Sequence, residues 1–370
     1  MRGEAAFWQV VLRQKGPRTP EALAEGYAMA AAEGLAGLYY RRTLDEGGLP
    51  DALAAHAAAA YRQTAGRNLL SQVWLGRLLE AGADFVLLPG GGLMSYYPDL
   101  GCRWMEDMDL LVRPADRRRL EGALRAVGAA PLARHPDLWS VEGPAGAALF
   151  DLHADLVNSE RVRTRRWAGW VDPDKAWDDR REYAWDGLRL QALCPEDALL
   201  YSAAHAVRHG FRRLAWIIDI GLLLPRADWK ELRQRAEDAR LEGPLRYCCE
   251  IWRRNGGPLG PEAAGWLEAA AWRRAEKAFF ARALAERGAP LWGDALLAAN
   301  IRGRLRRWVF WGETCFPRPA VLLQVYPALP PRLAVLGYFL RAGWLVWAAA
   351  KLAARLGKRL LAAKRGAYVS

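Results

Sequence analysis

A chain of 370 residues with 52% hydrophobic and 25% charged residues has length for two or three domains with real cores, and its composition excludes a disordered chain. The formal net charge of +12 is unevenly spread: Thr314 to Ser370 holds nine Lys and Arg and no Asp or Glu, leaving 44 basic against 41 acidic residues before it. The basic character therefore belongs to the tail and gives no charge argument for nucleic-acid binding by the body.

In chain order, helices are predicted over 21–45 and 50–80, both rich in Ala and Leu, the second closed by Gly82. A short apolar strand over 85–88 ends at the glycines Gly90, Gly91 and Gly92. A second strand over about 107–112 leads through Pro114 into a helix closed by Gly128. Leu138–Glu142 and Ala147–Val157 read as a hairpin around "GPAG", and 158–180 as an irregular connection. "REYAWDGLRLQAL" reads as a second hairpin turning at Asp186-Gly187. A helical region begins at "CPEDALLYSAAHAVRHGF" and continues to about 310. Helices, then a small mixed sheet, then helices predict an α+β protein. The five cysteines are odd in number and lack C-x-x-C spacing, which fits neither a disulfide framework nor a zinc site and points to a reducing cytoplasm. The N-terminus lacks the apolar run and cleavage site of a signal peptide.

The chemistry is concentrated in two strands. In "EDMDLLV" the carboxylates of Asp107 and Asp109 share one strand face, where they repel unless a cation or water screens them. In "AALFDLHADLV" alternation puts Leu149, Asp151, His153 and Asp155 on one face and Phe150, Leu152, Ala154 and Leu156 on the other. If the two strands are neighbours, three carboxylates converge. Carboxylates without thiolates suit hard cations such as Mg²⁺, and two such ions can clamp the oxygens of a phosphoryl transfer. A glycine run before them lets backbone N–H groups approach a triphosphate. Asp155, on the same face, remains an alternative to Asp151 as the third carboxylate.

Gly-Gly after a short strand, D-x-D in the next strand and a carboxylate in a later one resemble the nucleotidyltransferase fold of the DNA polymerase β superfamily. More narrowly, "RNLLSQVWLGRLLEAGADFVLLPGG", "YYPDLGCRWMEDMDLLVRPAD", "FDLHADL" and "LCPEDALLYSAAHAVRHGFRRLAWIIDIGLLL" resemble the bacterial uncharacterised nucleotidyltransferase family, over roughly residues 60–225. The resemblance implies metal-ligand and catalytic roles for Asp107, Asp109 and Asp151, and a phosphate-facing turn at Gly90, Gly91 and Gly92. It matches His153 to the His that follows the third carboxylate. Pro89 departs from the family pattern, which usually has Lys there and so a charge for phosphate. The implied domains are an N-terminal helical region 1–82, a nucleotidyltransferase-like core 83–190, a helical domain 191–313 and a basic apolar tail 314–370.

Around this centre, Arg103 is read either as an ion-pair partner of the neighbouring acids or as a phosphate contact. His205 and His209 share a helix face, and with Arg208 they are read as contacts to nucleotide or acceptor. A metal held by the two histidines with Asp219 is the lesser reading. In the tail, "LAVLGYFLRAGWLVWAAA" (333–350) carries one charge, Arg341, and Lys351, Arg355, Lys358 and Arg359 follow on one stripe. A packed closing helix, a surface helix on anionic lipid and a bilayer span all stay open.

The expected protein is a cytoplasmic nucleotidyltransferase using Mg²⁺, two ions with Mn²⁺ as a substitute. It moves an NMP from an NTP to a hydroxyl or phosphate of a small-molecule, glycan or peptide acceptor and releases pyrophosphate. No nucleic-acid partner is expected, and 333–365 is the candidate contact with the inner membrane face. The alternative is a catalytically inactive protein of the same fold that binds a nucleotide, or an adaptor at the membrane surface in envelope glycan or peptide modification.

Overall fold

Three helices open the chain: α1 (Arg2–Val11), α2 (Pro20–Ala32) and α3 (Ala36–Leu44). The computed structural model describes residues 2–14, 19–45, 47–133, 135–143, 146–347 and 350. No helix is predicted for α1, yet Phe7, Trp8 and Val10 are buried there and α1 packs on α2. The single helix expected over 21–45 is broken at Gly34, whose φ of +75° reverses the chain between α2 and α3. Thr19 starts α2 by accepting the Ala22 N–H, with Pro20 at the first helical position. The helix expected over 50–80 is α4 (Asp51–Glu80), 30 residues long.

Seven strands then form one mixed sheet: β1 (Val86–Leu87), β2 (Met108–Leu111), β3 (Ala130–Leu132), β4 (His135–Val141), β5 (Ala148–His153), β6 (Arg181–Trp185) and β7 (Leu188–Ala192). Their order is β3-β4-β5-β2-β1-β7-β6. Helix α5 (Arg117–Ala126) connects β2 to β3. The stretch expected to be irregular includes a short helix, α6 (Pro173–Asp178), capped by Asp172. β3 is an addition to the expected strands; it pairs with β4 but keeps its side chains exposed, so no alternation marks it. The β6–β7 hairpin turns at Asp186 (φ +46°) and Gly187 (φ +87°), the left-handed pair that a two-residue turn of this type requires.

The alternation in β2 and β5 sorts the two faces of the sheet. Met108, Leu110, Phe150 and Leu152 enter one core with Trp139 of β4, Leu75 and Leu78 of α4, and Leu120 and Leu124 of α5. Each such side chain stabilises the fold by about 1.5–3 kcal/mol. Asp109 and Asp151 are left on the opposite face.

Helix α4 carries polar side chains on a buried stripe, and they fix the segments around the site. Asn68 Nδ2 donates to the carbonyls of Leu100 (2.7 Å) and Arg103 (2.8 Å). Arg67 donates to the carbonyls of Met105 (3.0 Å) and Glu106 (2.7 Å), and Gln72 to that of Trp185 (2.6 Å). The loop leading into β2 is thereby held by backbone contacts on both sides of Arg103.

Beyond the sheet come α7 (Pro195–Arg208), α8 (Ala215–Leu223), α9 (Trp229–Asp238), α10 (Glu242–Arg254), α11 (Pro261–Ala269), α12 (Arg274–Ala285) and α13 (Pro290–Asn300). Helix α7 is buried along almost its whole length and packs on α8, α9, α10 and α13. These helices and the sheet form one compact unit, Met1–Ser159 with Arg165–Arg302.

The second unit is Glu160–Thr164 with Gly303–Ser370. It contains α14 (Arg304–Cys315), α15 (Pro319–Val325) and helical residues 334–347. Glu313 accepts the backbone N–H groups of Arg163 and Thr164, each at 2.9 Å. Arg341, the one charge in the apolar run, donates Nε to the Cys315 carbonyl at 3.1 Å. The basic stripe Lys351, Arg355, Lys358 and Arg359 lies outside the described residues. Among the described residues no helix is long and apolar enough to cross a membrane.

Candidate active site

β2 and β5 are parallel neighbours, with Asp109 opposite Asp151 and Leu111 opposite His153. This register brings the polar faces of the two strands together. His153 Nε2 lies 3.0 Å from Asp109 Oδ1 and 3.4 Å from Asp151 Oδ2. One ligand atom from each of Asp109, Asp151 and His153 falls within 4.8 Å of the others, a grouping that could hold a metal ion. Asp107 stands just before β2 and outside that grouping, although the charges of Asp109 and Asp151 both reach it.

The electrostatics follow from crowding with little water. Burial, and then the charges of Asp109 and Asp151, push the Asp107 carboxyl up to about 7. Burial alone would raise Asp109 too, but His153, the Tyr201 hydroxyl and Arg208 outweigh it and hold Asp109 below the ordinary carboxylate value. Burial would lower His153, but Asp109 and Asp151 override it and lift the imidazole to about 10. A protonated His153 thus supplies positive charge between the two carboxylates. The screening that the sequence demands comes, in the protein alone, from its own side chain.

Tyr201 is a member of the site that the sequence reading missed. Its hydroxyl donates to Asp109 Oδ2 at 3.1 Å. The signal was available: Tyr201 lies one helical turn before His205 and two before His209, on one face of α7 and its continuation.

The glycine turn differs from expectation in one respect. Gly90 has φ +116° and is the residue that conformation demands. A Cβ on Gly91 would lie 2.9 Å from Met108 Sδ, and one on Gly92 3.1 Å from the Leu87 carbonyl. Those two glycines therefore also let the turn pack against β1 and β2. The Gly92 N–H donates to the Leu88 carbonyl at 3.0 Å, so this amide is already committed, and Gly90 and Gly91 are the remaining candidates to meet phosphate. Leu88 N–H in turn donates to the Asp109 carbonyl at 3.0 Å, tying the turn to the carboxylate strand.

One further expectation is corrected, and two of the lesser readings do not fit the geometry. Arg103 pairs with neither adjacent acid: it is 4% exposed and donates from Nη2 and Nε to Asp219, at 3.0 and 3.3 Å, with the Tyr97 hydroxyl on the same carboxylate. Its guanidinium is occupied in the core, away from any phosphate role, and Asp219 is equally unavailable to a metal. Asp155 falls beyond the end of β5, where alternation no longer applies; it accepts the Val157 and Ser159 N–H groups and caps that turn. Asp151, by contrast, lies opposite Asp109 in the sheet. His205 and His209 bind each other's surroundings rather than a metal: their ring centroids are 4.6 Å apart, and Arg208 donates to His205 Nδ1 (3.2 Å) and His209 Nε2 (3.3 Å). Burial and the nearby Arg208 hold His205 far below its ordinary value and His209 down to about 3, so both rings are neutral.

His205 and Arg208 also line an open pocket of about 340 Å³, together with Arg165 and with apolar walls from Leu156, Val157, Leu241 and Leu297. It starts one helical turn from Tyr201 on one side and three residues beyond His153 on the other.

Over residues 20–256 the sequence matches a family described as uncharacterised nucleotidyltransferase. Among solved structures, the chain is similar to an antigenic nucleotidyltransferase-like protein from Paracoccidioides brasiliensis, at 14% identity and a TM-score of 0.34, over 58% of this chain and 95% of that one. It is also similar to the Megavirus polyadenylate synthase, at 11% identity and a TM-score of 0.30, over 48% of this chain and 36% of that one. No curated protein matches.

Proposed function

This chain belongs to the uncharacterised nucleotidyltransferase family, and from that premise we propose that it transfers a nucleoside monophosphate from an NTP to a hydroxyl or phosphate of an acceptor. The observation that carries this reading is the meeting of Asp109, Asp151 and His153 within 4.8 Å, beside an Asp107 whose carboxyl is held at about 7 by burial and then by its acidic neighbours. A donor set of carboxylates with one imidazole fits a hard divalent ion, Mg²⁺ or Mn²⁺. Asp107, Asp109 and Asp151 would hold it, with the protonated His153 as an outer partner bonded to Asp109 and Asp151, and when bound it would neutralise phosphate charge and orient the reacting oxygens.

The remaining work falls to the chain itself. The acceptor oxygen attacks the α-phosphorus, the bond to the β-phosphate oxygen breaks, and pyrophosphate leaves. Asp151, with its side chain 31% exposed against 18% for Asp109, would take the acceptor proton, since a base must reach the attacking oxygen. Tyr201 and His153 fix the carboxylate plane of Asp109. Gly90 and Gly91 would turn their peptides to the triphosphate.

Titration calorimetry with ATP, GTP, CTP and UTP, with and without Mg²⁺, tests the reading. Binding of at least one nucleotide that requires Mg²⁺ supports it. Metal-independent binding without turnover would favour instead an inactive member of the family, a reading motivated by Pro89 standing where a phosphate-neutralising Lys is expected.

The pH dependence has a defined sign. The folded-state value of Asp107, about 7, lies above its ordinary 3.8, so its contribution to stability is fully present below about pH 4 and is lost as pH rises through 7. An ion that needs the carboxylate gains what the apo protein loses. Mn²⁺ affinity is therefore expected to rise by roughly tenfold per pH unit up to about 7 and then level off. A flat profile between pH 5.5 and 7.5 would exclude Asp107 as a ligand.

A membrane-surface role for the tail has its own observation. In the second unit Trp308 is 75% and Phe339 70% exposed, with Val335, Leu336, Trp344 and Trp347 also exposed, in a stretch that has no acidic residue after Glu313. Exposed Trp beside basic charge suits an anionic lipid surface. Full-length protein is expected to float with vesicles containing anionic lipid, and a Trp308→Ser, Phe339→Ser, Trp344→Ser variant to stay behind. Equal behaviour of the two would end this reading.

A further inference from the structure

The pocket beside the carboxylates has at its edge a cation whose charge reaches Asp109 but which makes no direct contact with an acid among the described residues. Among the described residues Arg208 forms no ion pair; its bonds run to His205 Nδ1 and His209 Nε2. A guanidinium only donates, so both ring nitrogens accept, and each imidazole is fixed as a neutral tautomer. Two neutral rings orient the fork of Arg208 without neutralising it. Such a fork has the geometry to receive a phosphate or carboxylate through paired N–H bonds. The walls opposite, Leu156, Val157, Leu241 and Leu297, offer nothing polar and would take an apolar group.

Sheet order says which substrate it serves. β2, with Asp109, lies between β1 and β5. The glycine turn follows β1, whereas Leu156 and Val157 follow β5. A triphosphate approaching through the glycines and a molecule in the pocket would thus reach the carboxylates from opposite sides.

We propose that this pocket is the acceptor site, and that the acceptor carries an anionic group, phosphate or carboxylate, on Arg208 with an apolar portion against Leu156, Val157, Leu241 and Leu297. The proposal deepens the nucleotidyltransferase reading and rests on it for the word acceptor, while the binding it describes stands by itself.

Saturation-transfer NMR on the full-length protein tests it with phenyl phosphate, benzoate, inorganic phosphate and benzyl alcohol as probes. Phenyl phosphate or benzoate is expected to bind saturably, with or without Mg²⁺, and more tightly than inorganic phosphate or benzyl alcohol. Whichever of the two anions binds more tightly identifies the anionic group. Arg208→Gln should weaken that binding by about tenfold or more, the usual effect of losing a charged hydrogen bond. Arg208→Lys, which keeps the charge and loses the fork, should fall between. Both variants are checked for unchanged melting temperature, and Mg²⁺-dependent ATP binding is measured alongside. If Arg208→Gln loses ATP binding and keeps the aryl anion, the pocket serves the triphosphate and the proposal is overturned. Equal binding of benzyl alcohol, or no saturable aryl anion binding, overturns it as well. A protein that binds the aryl anion but no nucleotide would refute the nucleotidyl-transfer reading while leaving the anion site standing.

Discussion

Asp109→Asn is expected to abolish Mg²⁺-dependent nucleotide binding and to lower any turnover by well over ~100-fold, since even an outer partner of a metal ligand typically costs ~10–100-fold. Asp109 is where the site's interactions meet: His153 and Tyr201 both bond its carboxylate, and Asp151 stands opposite it in register. The amide keeps the shape but removes the charge that holds His153 protonated and that pushes Asp107 upward. Two further consequences follow from that loss. The His153 pKa should fall from about 10, and Asp107 should fall in part, since its burial and the Asp151 charge remain. Both are readable by NMR titration and separate a charge effect from a folding defect. Asp109→Asn with full turnover would sink the assignment.

Asp219→Ala is expected to cost about 3–5 kcal/mol of stability, the usual consequence of leaving one half of a buried ion pair uncompensated. Arg103 is 4% and Asp219 2% exposed, so the stranded guanidinium has no water to return to. The Tyr97 hydroxyl loses its acceptor in the same step. Urea unfolding of the variant against the parent gives the number. Arg103→Met paired with Asp219→Leu should recover part of the loss, because an apolar pair needs no mutual compensation. If Arg103 were instead a phosphate contact, Arg103→Met would weaken nucleotide binding and leave the unfolding midpoint nearly unchanged.

The two residues illustrate how far local pattern reaches. Asp109, Asp151 and His153 were legible because strand alternation is a local rule: a side chain's face depends on its own backbone and its nearest neighbours. The same rule put Phe150 and Leu152 in the core. It stopped working one step past the strand, so Asp155 was grouped with Asp151 although it caps a turn. The β6–β7 hairpin was equally legible, because Asp-Gly adopts left-handed backbone at little cost. Arg103 was not, since its partner lies 116 residues away and nothing in either local sequence names the other.

By itself the sequence determined the helix α4, the glycine turn, the two carboxylate strands and their polar faces, all properties set by spacings of two to four residues. The tertiary structure decided which strands are neighbours, and hence that Asp109 faces Asp151 while a protonated His153 lies against both. It also decided that Tyr201 joins them, that Arg103 is sealed into the core with Asp219, and that Arg208 lines a pocket with no ion pair of its own among the described residues. These outcomes depend on which groups share a desolvated volume. In such a volume every charge must find a partner or shift its protonation, and that competition is settled only when distant segments meet.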